Sequence, residues 1–121
     1  MFTGRADPFS YNVTVMIKLI ALDRCPVGRG VFVECRGREL AVFRPATGGD
    51  EVFVTENACP HSSGNLSGGL LDGVEVTCRS HDRRFDLRSG SCVDSPKARI
   101  VRYPVQVRGG DVYIDLDRPL T

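Results

Sequence analysis

At 121 residues and 41% hydrophobic, the chain is long enough to bury one core and too short for a second catalytic module, so it reads as a single domain, 1–121. Sixteen basic against fifteen acidic side chains leave a formal charge of +1, and no long basic run interrupts the mixture. Neither a nucleic-acid surface nor a polybasic membrane patch is indicated.

The N-terminal MFTGRADPFSYN is polar, and the VMIKLIAL that follows is short and interrupted by Lys18. A signal peptide or a membrane span would need a longer apolar run, roughly 20 residues for a span, so this segment reads as a strand. A cytoplasmic setting follows by default. In that compartment five cysteines, an odd number, do not read as a disulfide framework.

Period-two alternation and turn residues then recur at short intervals, with no sustained 3.6-residue stripe, which predicts an all-β fold. VTVMIKLIA leads to a turn at VGRG; VFVEC and ELAVF flank RGR as a hairpin; EVFVT follows the turn ATGGD. About five short strands are expected before residue 56. Near the other end, Val105 and Val107 alternate with polar neighbours up to Gly109 and Gly110, after which Val112, Ile114 and Leu116 alternate with Tyr113, Asp115 and Asp117. This is the clearest hairpin in the chain.

Between these flanks, about residues 56–94, glycine and serine cluster and the strand signals are brief. This stretch is expected to form a small subdomain on a β base built from about 12–55 and 95–118. It contains both histidines of the chain, each next to a cysteine: Cys59-x-His61, sixteen residues, then Cys78-x-x-His81. Two thiolates and two imidazoles can hold a tetrahedral zinc, or a 2Fe-2S centre in which two histidines replace two cysteines on one iron. Zinc sites usually group cysteine with cysteine and histidine with histidine. Here each pair contributes one of each, an alternation that suits two metals better.

The CxH, sixteen residues, CxxH pattern, together with FDLRSG (85–90) and YPV (103–105), resembles the Rieske iron-sulfur family, and in particular its small ferredoxins. The resemblance implies a Rieske-type antiparallel β-sandwich with an inserted cluster-binding subdomain. It implies Cys59 and Cys78 on one iron of a 2Fe-2S cluster and His61 and His81 on the other, with Pro96 of DSPK packed over the cluster. Relatives often carry Gly-x-Pro-Leu after the first histidine and glycine after the second; this chain has Ser63-Gly64-Asn65-Leu66 and Asp82. High-potential members join the cluster loops by a disulfide and add serine and tyrosine hydroxyls. Here Gly64 and Ser80 stand at the disulfide positions, and Arg83 and Phe85 at the hydroxyl positions.

An electron carrier is therefore expected, taking electrons from a reductase and passing them to a terminal oxygenase. The small subunit of an assimilatory nitrite reductase is the alternative within the fold, and a zinc-binding assembly module the alternative outside it. Catalysis by the chain itself is not expected. A mononuclear oxygenase iron needs two further histidines, and Gly-x-Ser-x-Gly, GxGxxG and P-loop patterns are missing from the sequence. Cys25, Cys35 and Cys92 share no ligand spacing and are assigned no function. Arg83 and Arg84 are expected to face an acidic partner, ahead of remote cations such as Arg5 or Lys18.

Overall fold

The computed structural model describes residues 16–47, 49, 51–60, 64–80, 82–95 and 97–120. Within them lie ten strands in three antiparallel sheets: β1 (Ile17–Ala21), β2 (Arg29–Cys35), β3 (Arg38–Arg44), β4 (Phe53–Glu56), β5 (Leu70–Asp72), β6 (Glu75–Cys78), β7 (Arg83–Asp86), β8 (Arg102–Tyr103), β9 (Val105–Arg108) and β10 (Asp111–Ile114). Their orders are β1-β10-β9, β2-β3-β4-β8 and β5-β6-β7. The all-β expectation holds.

The architecture follows from β3. Its central residues Leu40, Ala41, Val42 and Phe43 are all fully buried, because both faces of the strand are covered. Leu40 and Val42 join Val54, Tyr103, Val112 and Ile114 in one core, facing the β1-β10-β9 sheet. Ala41 and Phe43 join Leu66, Val76, Phe85 and Leu87 in a second core, beneath the β5-β6-β7 sheet. Each buried valine, leucine, isoleucine or phenylalanine among them contributes about 1.5–3 kcal/mol. The four-stranded sheet is thus the middle layer, and the third sheet rests on its second face.

Both hairpins read from the sequence are present. β2 and β3 pair from Arg29↔Arg44 to Cys35↔Arg38, and β9 and β10 from Asp111↔Arg108 to Ile114↔Val105. The second turns on Gly109 and Gly110, at φ 59° and 81°. Two successive residues at positive φ are what a tight hairpin matching the strand twist requires, and glycine adopts them without strain.

Two expectations need adjusting. Among the described residues four strands precede residue 56, not five, and the first begins at Ile17; residues before 16 lie outside the description. The last strand ends at Ile114 although the alternation runs on to Leu116. There the Asp115 carboxylate accepts from the Asp117 N–H at 3.0 Å, a local turn that competes with the ladder.

Candidate metal centre

The first loop leaves β4 at Asn57, which is 3% exposed. Its backbone N–H donates to Glu39 O on β3 at 3.0 Å, and its carbonyl accepts from Leu66 N–H at 2.7 Å. Its carboxamide is used at both ends: Oδ1 accepts from Ser67 N–H at 2.9 Å and Nδ2 donates to Asn65 Oδ1 at 3.1 Å. Ala58 bridges to Asn65, and Cys59 N–H donates to Gly64 O at 2.9 Å. The loop is closed at its base by this ladder, and Cys59 is held inward, 3% exposed.

The second loop joins β6 to β7, whose last register pair is Cys78↔Arg83. Cys78 is 1% exposed. The chain turns back through Asp82 at φ 55°, a left-handed conformation that glycine adopts freely and aspartate better than most residues. A glycine at this position would carry no such strain.

Gly64 is where the loops meet. A Cβ at that position would lie 2.9 Å from Cys78 Sγ and 3.1 Å from Ser80 Cβ, and would collide with Ser80 Oγ. Only a residue without a side chain lets the first loop approach the second this closely. Cys59 and Cys78 consequently share one buried group with Leu66, Val76, Phe85 and Cys92. A pair of buried thiols, in two loops touching across a glycine, is a donor set suited to an iron-sulfur cluster.

A third segment is pinned to β7. Phe85 bridges to Cys92, and Val93 N–H donates to Arg84 O at 2.8 Å. Arg84 also donates to the Asp94 carboxylate twice, from its backbone N–H and from Nη2, each at 3.1 Å. The Arg84 guanidinium, followed by its N–H, holds the Asp94 carboxyl below the usual carboxylate range.

Of the residues singled out in the sequence, the structure brings Cys59 and Cys78 together. His61, His81 and Pro96 lie outside the described residues. Arg84 is engaged with Asp94, whereas Arg79 is exposed and donates through Nε to Gly68 O at 2.8 Å. Cys25, Cys35 and Cys92 are free thiols, the first and last buried, and burial pushes the Cys25 thiol up. Sequence reasoning missed Asn57 and Asn65. The signal available was an asparagine on either side of the CPH turn, a residue type that ties loops through its own side chain.

Residues 15–115 match the family model for the Rieske-like [2Fe-2S] domain. The chain belongs to that family. Its cofactor is a 2Fe-2S cluster, which sets aside the single-zinc reading. Among curated relatives of this Rieske protein, the ferredoxin component of the naphthalene 1,2-dioxygenase system from Pseudomonas aeruginosa is 35% identical over 101 residues, 83% of this chain and 94% of that one. Among solved structures, the complex of reduced oxygenase and oxidized ferredoxin in carbazole 1,9a-dioxygenase contains a chain with TM-score 0.75 and 30% identity; the match covers 90% of this chain and all of that one (100%). The nitrite reductase [NAD(P)H] small subunit from Erwinia carotovora has TM-score 0.70 over 84% of this chain and 81% of its own, at 24% identity, a likeness of fold. Among the described residues no helix is long and apolar enough to cross a membrane.

Proposed function

We propose that Cys59 and Cys78 bind one iron of the cluster and His61 and His81 the other, and that the chain carries single electrons from a reductase to a terminal oxygenase. The observation that carries this reading is the convergence of the two buried cysteines across Gly64. When bound, the cluster supplies a one-electron couple. The chain's own part is to bury both thiols against Leu66, Val76 and Phe85, which keeps water from them, and to hold the two loops in register through Asn57 and the Cys78↔Arg83 pair.

The dioxygenase systems named for the relatives support an oxygenase as acceptor. No oxygenation takes place on this chain, since its two histidines are both needed for the cluster. The setting is cytoplasmic, where thiols such as Cys25, Cys35 and Cys92 stay reduced.

Purified protein should contain iron and acid-labile sulfide in equal amounts and give, on reduction, the electron paramagnetic resonance signal of a mixed Cys/His cluster. Cys78→Ser should lose most of it, and Gly64→Ala, whose methyl would press on Cys78 Sγ, should keep iron but shift the signal. Stoichiometric zinc without sulfide would overturn the ligand assignment. Adding the holo-protein to a purified aromatic-ring dioxygenase and its reductase should restore NADH-driven hydroxylation; support of nitrite reduction alone would overturn the choice of acceptor.

A further inference from the structure

The arginines around the second loop do not have equal roles. Arg84 is committed to Asp94 through side chain and backbone. Arg79, directly after Cys78, uses Nε to anchor on Gly68 O, which leaves both terminal nitrogens without an acceptor among the described residues. The anchor also fixes where they lie. Arg79 lines a cleft of about 250 Å³ between residues 28–30 at the start of β2 and residues 67–71 after the first loop. Arg29 lines the same cleft from its other wall, and no acidic residue among the described ones lines it.

The surroundings have the character of a protein contact. Leu70, in the lining, is 55% exposed, and Val27, next to the cleft in sequence, is 58% exposed. Arginine is enriched at protein interfaces, and apolar side chains left in water beside it give a partner surface to cover. The volume falls short of the ~300–1,000 Å³ typical of a site for a small organic ligand, and suits one carboxylate side chain with its waters. Both walls adjoin the cluster loops: residues 67–69 follow the Asn57–Ser67 staple and Arg79 follows Cys78. A protein seated here touches Arg79, the residue directly after Cys78.

We propose that this cleft is the docking point for the redox partner, and that it receives an acidic side chain of that protein between Arg29 and Arg79, with Leu70 covered by the contact. The proposal rests on the electron-carrier reading above and names the surface that reading uses. It moves the docking role from Arg83 and Arg84 to Arg29 and Arg79.

The test uses holo-protein and two redox proteins of opposite charge as probes. A reduced, strongly acidic plant-type ferredoxin gives one electron to the oxidised chain; oxidised, basic cytochrome c takes one electron from the reduced chain. In stopped-flow at low ionic strength, Arg29→Glu with Arg79→Glu should slow the reaction with the acidic donor about tenfold and speed the reaction with the basic acceptor, both effects fading at high salt. Arg29→Gln alone, remote in sequence from the ligands, should slow the acidic donor in the same sense, and Arg108→Glu on the far hairpin should not. Iron, sulfide and spectrum are measured on every variant. Rates for the double variant equal to wild type, or equal to Arg108→Glu, would overturn the docking surface and leave the carrier reading standing. A loaded wild-type protein that exchanges electrons with neither probe would overturn the carrier reading itself.

Discussion

Two single residues set the shape of the loops around the cluster. Asn57 satisfies its backbone N–H, its carbonyl and both ends of its carboxamide while 3% exposed. Truncation to alanine removes both hydrogen bonds, to half-buried Ser67 and exposed Asn65, a cost of about 1–3 kcal/mol because water replaces part of what is lost. Asn57→Ala should therefore shift the chemical unfolding midpoint markedly downward, and a shift no larger than that of an exposed Asn→Ala would contradict the role given to it. Asp82 presents the opposite case. At φ 55° an L-residue carries backbone strain of roughly 1 kcal/mol, which glycine does not. Asp82→Gly should leave the melting temperature level or raise it slightly, and Asp82→Val should lower it, since branching at Cβ makes the left-handed region costlier. Equal melting temperatures for the glycine and valine variants would show that the turn is not strained.

Alternation made the base legible from sequence: Val105 to Ile114 fold as the hairpin their pattern describes, and the run Leu40 to Phe43 marks the strand buried on both sides. The strands of the third sheet are three or four residues long, too short for a period to be read, and the four-stranded sheet depends on β4 meeting β8 from the other end of the chain. Cys59 and Cys78, proposed above as ligands, stood out in the sequence by their spacing to the two histidines. The ties around them were not legible, because no spacing rule announces that Asn57 reaches Glu39 on β3 or that Arg84 pairs with Asp94 ten residues on. That second tie makes a pH prediction. The Asp94 carboxyl is held below its ordinary value by Arg84, so its contribution is fully present above the unfolded-state value near ~3.9 and is lost as pH falls through the lower folded value. Exchange protection of the Arg84 and Val93 amides should fall in Asp94→Asn at neutral pH, and the gap from wild type should close in the acid range below ~3.9. A gap independent of pH would mean that the carboxylate charge does not matter.

For the whole molecule the measurable consequence is the reduction potential. The structure sets Gly64 against Ser80, the two positions where high-potential relatives are joined by a disulfide, and neither residue has a sulfur. Phe85, at one of the hydroxyl-donor positions, is fully buried in the same group as Cys59 and Cys78 and has no hydroxyl to offer. Arg83, at the other, is half-buried on β7 and likewise has none. Hydrogen bonds to the sulfurs stabilise the reduced form by spreading its added charge, so their loss lowers the potential. The net charge of +1 gives no large field to offset this. The potential should lie toward the lower end of the Rieske range, ~−150 mV. Phe85→Tyr adds one hydroxyl at a fully buried position, where an unmade hydrogen bond is costly, and should raise the potential if that hydroxyl reaches a sulfur. A redox titration followed by the spectrum of the reduced protein measures both. A clearly positive value for the wild type would refute the argument, because the features credited with raising the potential in relatives have no counterpart at Gly64, Ser80, Arg83 or Phe85.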